Sequence, residues 1–596
     1  VRRAQMITTY GVGAMVAIGD QSYVISGLDT WNLDTSITIH EPRLERRLGV
    51  DGFRLPPAAS SSTGDGVRVR LFPEFYSCPG CHELKEFHKF GSPPGTSRCG
   101  ACDKLLTPSR FVIACENGHL DDFPYAKWVH KGADPGRGHR LTLHSTGRTA
   151  SLRSVIIRCS CGEEASMEGA FSRNALRSLN IFCEGRRPWL GRGAEQSGCK
   201  AIPRTLQRGS SAVWFPIVRS ALSIPPWSET LQKRLNCSQY PMLKSSVRLW
   251  REGRVSYESL EELIRASGIL DASRFTPKDV IEAVQLRVQL EESEVADSDG
   301  REPLEAAGEL RREEYERLLF GTASVDREDD FECTRPPEDP DTPLPVGIER
   351  SMQVKRLREV RALWSFTRVE APDSTTPETR RAALSIEDKG WLPAVEVIGE
   401  GVFLTLDTAR LGEWERQKGV RQRADRIRDN HTAALRRRIM ATNPKAVREI
   451  QSPISARYIL LHTLAHALIN EWSLESGYPA ASLRERLYVS HDMAGLLIYT
   501  ATSDSAGSLG GVVAQGEYKN LRNSLESALR RVSWCSQDPP CMESEAGGVD
   551  SLNLAACYAC VLLPETSCET NNTFLDRAML IGTPDESSVG YFALDE

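Results

Sequence analysis

The chain has 596 residues, 40% of them apolar and 26% charged, with a formal net charge of −6 at pH 7. That length and apolar share allow several packed domains, and the acidic balance excludes a broadly basic nucleic-acid binder, so any phosphate contact has to come from a local patch. No apolar run is long enough for a spanning helix, and the opening VRRAQMITTYGVGAMVAIG is too interrupted by Thr, Tyr and Gly for a signal peptide. A reducing, cytoplasmic setting is therefore expected, where the sixteen cysteines read as thiolate metal ligands rather than disulfides.

In chain order, residues 1–70 alternate short β-prone runs (SYVISGL, VRVRLF) with Gly and Pro turns, and read as a small N-terminal α/β module. Residues 71–114 read as a zinc-ribbon-like module and 115–240 as a second cysteine-rich one, with metal replacing part of a missing core. Residues 241–322 turn helical in VSYESLEELIRASG and PKDVIEAVQLRVQLEE, the second starting at Thr276-Pro277. Residues 323–345 hold eight acids, two arginines and five prolines, a composition that predicts a linker or loop.

From 346 to 596 the pattern is mixed. Ser351–Arg368 resumes ordered structure, WLPAVEVIGEGVFLTL reads as strands with a Gly turn, and 412–442 reads as a long basic helix. PISARYILLHTLAHALINEW is apolar nearly all round, hence a buried helix, and RERLYVS and GLLIYTA read as strands. The expected fold class is α+β and multi-domain, with zinc-ribbon-like modules and a mixed α/β C-terminal domain.

Cysteine spacing carries the chemistry. Cys78-Pro-Gly-Cys81 and Cys99-Gly-Ala-Cys102 form paired CxxC knuckles, each able to present two thiolates to one tetrahedral ion. Cys159-Ser-Cys161 with Cys183 and Cys199 forms a looser second set, in which Cys115-x3-His119 competes for a position. The third set is Cys535, Cys541, Cys557-Tyr-Ala-Cys560 and Cys568, five candidates for four positions, with the CxxC pair firmest. Cys237 and Cys333 read as solitary thiols. Two or three structural Zn2+ ions are expected. All-cysteine sets look closed, whereas a catalytic zinc keeps an open position beside a base, and no catalytic residue is assigned.

His462-x3-His466 places two imidazoles on one side of the apolar helix. With Glu471 or His491 they could form a metal site for a hydrolase or nuclease, but HExxH is absent and hydrogen-bonded buried histidines are the plainer reading. Ser505-Ala-Gly-Ser-Leu-Gly-Gly511 follows a strand and could cradle phosphate. It lacks the GK[ST] ending, so a tight turn is favoured. Residues 416–448 carry eleven Lys/Arg against two acids. Among them Arg416, Lys418, Arg421, Arg423, Arg426, Arg428, Arg436, Arg437 and Arg438 are DNA-binding candidates, the alternative being a solvated face. Trp414 and His431 offer little for base stacking.

Several stretches together resemble the DrmB family of the DISARM anti-phage system. They are Arg2–Gly13, Ser26–Trp31, Cys115–His119 running into Phe123-Pro124, Leu357–Val360, Phe366–Arg368 and Gly399–Phe403. His462-x3-His466, Gly507–Gly511, Cys557-x2-Cys560 and Leu575–Arg577 complete the set, which spans almost the whole chain in order. The resemblance implies a zinc-binding accessory subunit, with a helicase-associated domain over 346–596, in antiviral defence. It also implies a separate DrmA-like helicase that supplies the ATPase, and joint binding of DNA; neither a membrane partner nor a small-molecule substrate is expected. A pure assembly scaffold that never touches DNA is the third reading.

Overall fold

The computed structural model describes every residue except 1, 35, 61–63, 137, 146–150, 271–273, 298–302, 323–327, 339–341, 373–375, 441–449, 501–509, 546, 549–550 and 593–596. Of 292–297, 303–307, 309 and 438–440 only the backbone is described. Two compact units result: Val1–Ser220 with Arg361–Val395, and Ala221–Val360 with Glu396–Glu596. The fold is α+β, as the patterning implies.

In the first unit the runs SYVISGL and VRVRLF meet as antiparallel strands, Gln21–Ile25 against Val69–Leu71, with Met15–Ile18 on the other side. A six-stranded sheet runs in the order Glu164–Ser166, Val155–Cys159, Leu141–Ser145, Glu83–Glu86, Phe75–Ser77, Thr107–Pro108. A smaller sheet sets Phe111–Ala114 between Leu120–Asp122 and Arg204–Gln207. The segment 361–395 belongs to this unit because Leu363 and Phe366 are fully buried among Ile7, Val12, Trp189 and Trp214. It also pairs Trp391–Pro393 in parallel with Gly52–Arg54. Gly13 has φ +79°, and a side chain there would run into the Phe366 ring, so the glycine serves both turn and packing.

In the second unit, Tyr240–Arg251, Tyr257–Ala266 and Pro277–Asp297 pack around Leu243, Leu260, Ile264, Val280 and Val284. The third helix starts where Thr276-Pro277 predicts. Thr276 Oγ1 accepts from the Asp279 N–H at 3.3 Å, and Asp279 accepts in return from the Thr276 N–H at 2.7 Å. The acidic, Pro-rich stretch is not loop throughout. Phe331–Thr334 is a strand paired with Gln353–Leu357, because alternate residues Phe331 and Cys333 are buried.

Gly399 and Gly401 make no turn; they lie inside one continuous strand, Trp391–Leu406. A Cβ at Gly401 would sit 2.5 Å from the Ile498 carbonyl, so glycine here permits close approach of the strand Ala494–Thr500. That strand forms a hairpin with Leu483–Val489. Over these strands packs Ala456–Glu475, buried on all sides from Ile459 to Ile469. The basic stretch forms two helices, Thr408–Glu415, capped by Asp407, and Lys418–Met440.

A buried ion pair ties this unit together. Arg486 donates Nε and Nη2 to the two oxygens of Glu314, each at 2.7 Å, and Glu314 also accepts the Leu222 N–H at 3.1 Å. Removing Glu314 takes from the buried Arg486 its nearer carboxylate and leaves Glu359 at 3.7 Å; breaking a buried pair typically costs about 3–5 kcal/mol. Glu314→Ala should therefore lower the unfolding free energy of the full chain, from urea denaturation followed by circular dichroism, by up to about 3–5 kcal/mol; an unchanged midpoint and slope would show the pair to be dispensable.

Candidate metal centres

Every cysteine except Cys237 and Cys333 falls into one of five clusters whose donor atoms lie within 4.8 Å of one another. The first joins Cys78, Cys81, Cys99 and Cys102. Its two knuckles repeat the same backbone geometry. His82 N–H donates to the Cys78 carbonyl and Asp103 N–H to the Cys99 carbonyl, while the N–H groups of Cys78 and Cys99 donate to Glu83 and Lys104 carbonyls. His82 and Asp103 both take positive φ, 62° and 52°. Gly100 is required because a Cβ there would lie 2.5 Å from the Gly91 carbonyl. Sulfur pairs stand 3.2 Å (Cys78–Cys102) and 3.8 Å (Cys81–Cys99) apart. Tetrahedral zinc with Zn–S bonds of about 2.3 Å separates its sulfurs by about 3.8 Å, so the donor set fits that ion.

The looser second set does not converge on one point. The structure divides it between two clusters and recruits histidines to each. Cys183 and Cys199 meet Cys115 and His119, whereas Cys159 and Cys161 meet His130 and His139. Strand pairing is the cause. Val155–Cys159 lies against Leu141–Ser145 with Cys159 opposite Leu141, which brings His139 Nδ1 to 3.1 Å from Cys159 Sγ. His130, just past the short helix Tyr125–Val129, places Nε2 at 3.3 Å from Cys161 Sγ.

Cys115 and His119 instead close the hairpin between Phe111–Ala114 and Leu120–Asp122. The Cys183 N–H bonds to the Ala201 carbonyl, holding the segment that carries Cys199 alongside. His119 and His130 each have the non-facing ring nitrogen fixed. His119 Nε2 pairs with Gln196 Oε1 at 2.9 Å, and His130 Nδ1 with the Ala126 carbonyl at 2.7 Å. Metal-ligating histidines are oriented in this way. Hydrogen bonding from Cys183 and His119 holds the Cys115 thiol down at about 4. Above it lies Arg368, fully buried, which donates to the carbonyls of Gly118, Gly13 and Val213. Burial pulls this guanidinium down to about 9, and the Cys115 charge works against that shift.

Cys535, Cys541, Cys557 and Cys560 form the fourth cluster, with sulfur separations of 3.5 Å (Cys535–Cys557), 3.7 Å (Cys557–Cys560) and 3.9 Å (Cys541–Cys560). Cys568 is the surplus cysteine. It sits instead with His462, His466 and Glu485. Neither third ligand considered for the histidines is used: Glu471 pairs with Arg531 at 2.9 Å, and His491 is exposed. His130, His139 and Glu485 carry no sequence signal, since no short motif links them to their cysteines.

The other candidates also find places. Gly510 and Val512 N–H groups donate to the carboxylate of Glu400, so the described end of the glycine-rich loop is an anion nest filled from within the chain; Gly507–Leu509 lie outside the described residues. Along the basic helices, Arg416, Lys418, Arg421, Arg426, Arg436 and Arg437 are exposed and Arg428 half-buried. The side chain of Arg438, with Lys445 and Arg448, lies outside the described residues. Arg423 differs from the rest: it donates two hydrogen bonds, at 2.7 and 2.9 Å, to the fully buried Asp576. Among the described residues no helix is long and apolar enough to cross a membrane.

Closed Cys and Cys/His clusters on an α+β frame define a zinc-binding protein, and residues 464–561 match the MrfA Zn-binding domain family. Residues 2–215 match a domain of unknown function, DUF8724. The chain is 30% identical over 594 residues to the DISARM protein DrmB of Bacillus paralicheniformis, covering 96% of this chain and 99% of that protein. The chain belongs to the DISARM DrmB family.

The division of the second cysteine set can be tested by counting metal. Cys159→Ser and Cys183→Ser should each lower zinc per chain by up to one equivalent, and the double variant by the sum of both losses. A double variant that loses no more than either single one would mean a shared ion.

Proposed function

We propose that the chain is a non-catalytic, zinc-braced accessory subunit that partners a DrmA-like DNA helicase or translocase and contributes to binding phage DNA in antiviral defence. The observation that carries this reading is closure: each of the four Cys or Cys/His clusters supplies four protein donors. A zinc so held has no position for water or substrate and acts as a cross-link. Four such ions, at Cys78/Cys81/Cys99/Cys102, Cys115/His119/Cys183/Cys199, His130/His139/Cys159/Cys161 and Cys535/Cys541/Cys557/Cys560, exceed the two or three that spacing suggests. ATP-driven work then falls to the partner.

The exposed basic residues of Lys418–Met440, with Arg416 just before it, support the DNA part of the reading, in a chain whose net charge is −6. Each phosphate contact contributes about 0.9 to the slope of log affinity against log salt. Arg416→Glu/Lys418→Glu/Arg421→Glu should weaken binding of a labelled DNA duplex by the complex and flatten that slope by about 2–3. Equal affinity and slope at every salt concentration would refute the basic-face proposal and leave the pure scaffold. Arg423→Glu serves as a contrast, since it should reduce stability by breaking the pair with Asp576.

A further inference from the structure

His462, His466, Glu485 and Cys568 come from three places: the buried helix Ala456–Glu475, the strand Leu483–Val489, and the C-terminal segment after the fourth cysteine cluster. All four are buried, the histidines at 0% exposure. His462 Nε2 stands 3.1 Å from Glu485 Oε1 and 3.2 Å from Cys568 Sγ. His466 Nε2 stands 3.6 Å from Glu485 Oε2.

The backbone fixes the direction of the donors. His466 Nδ1 pairs with the Val561 carbonyl at 2.8 Å, so it carries that ring's proton and leaves a lone pair on Nε2. Glu485 Oε1 accepts the Glu569 N–H at 3.0 Å. His466 Nε2 and Glu485 Oε2 then remain buried without any hydrogen-bond partner. Two acceptors facing each other in a dry interior repel unless a positive charge lies between them. A proton on Nε2 gives only a long ion pair and leaves both atoms short of a hydrogen bond, because 3.6 Å exceeds the N–H···O range of about 2.7–3.2 Å. A larger cation bound by both atoms satisfies the two together.

We propose that these side chains hold a fifth, closed divalent metal site of the zinc class, with His462 Nε2, His466 Nε2, one Glu485 oxygen and Cys568 Sγ as ligands. Zn–N and Zn–O bonds of about 2.0–2.2 Å and a Zn–S bond of about 2.3 Å give ligand separations of about 3.3–3.6 Å in a tetrahedron, against 3.1, 3.2 and 3.6 Å here. One thiolate, one carboxylate and two neutral imidazoles cancel a 2+ ion, so the filled site is neutral, which suits a position without solvent. An all-thiolate zinc carries two negative charges, and both such clusters keep part of their edge at the surface, at Cys81, Cys102 and Cys557.

The site fastens the central helix to the sheet and to the C-terminal segment. With four protein ligands and no solvent access it is a brace, which separates it from a hydrolytic centre using the same two histidines. The MrfA Zn-binding domain match at 464–561 excludes both His462 and Cys568, so it does not span this ligand set.

Two measurements on the full chain test the site. Anomalous scattering at the zinc edge should show a peak between the four side chains of the unmodified protein. Peaks at the cysteine clusters with none here would overturn the proposal, whatever the fate of the DNA reading. In solution, His462→Ala/His466→Ala should lose one equivalent of metal while a Cys237→Ala control loses none. A folded double variant with full metal content would refute the site, and one that fails to fold leaves the decision to the scattering peak.

Discussion

Each cysteine or histidine cluster brings separate stretches of chain to one point, where their charges need compensation. Cys115 needs Cys183 and Cys199; His130 needs Cys161; His462 needs Glu485 and Cys568. A thiolate or carboxylate withdrawn from water is tolerated only beside an opposite charge and with its remaining lone pairs satisfied. Zinc meets both needs at the price of ordering two or three separate segments at once. Ions at the clusters around the six-stranded sheet of the first unit would brace strands of only two to five residues.

Buried arginines perform a related task. Arg368 reaches three carbonyls beside the Cys115 cluster, and Arg577, also fully buried, bonds to the Val532 carbonyl and to Asp538 beside the Cys535 cluster. A planar guanidinium with five N–H donors can satisfy several backbone acceptors while placing positive charge near thiolates. Arg486 does the same for Glu314. Lysine, a point charge on a flexible stem, would leave part of each set unsatisfied.

What the sequence reveals depends on how locally a feature is encoded. The CxxC knuckles, the Thr276-Pro277 helix start and the all-round apolar helix are written in neighbouring residues, and spacing alone locates them. The partition of Cys159, Cys161, Cys183 and Cys199 is decided by a strand register, Leu141 against Cys159, that no spacing rule contains. Glu485 is one acid among many until a hairpin turns it toward the histidine helix. Gly399 and Gly401 mislead for a similar reason: glycine signals a turn by its own freedom, but here the partner strand is what demands it. Arg423 reads as one more charge in a basic run, and only Asp576, 153 residues away, sets it apart.

The segment 361–395 brings Phe366 and Arg368 into the core of the first unit, although residues 2–215 match as a family by themselves. During synthesis the ribosome delivers the N-terminal strands, the knuckles and the cysteine hairpin long before this closing piece emerges. Until then Trp189 and Trp214 lack their aromatic neighbour, and the carbonyls of Gly13, Gly118 and Val213 lack their cation. The N-terminal part of the unit is therefore made at least 140 residues ahead of this closing piece. The homology boundary and the folding boundary of this protein are different places along the chain.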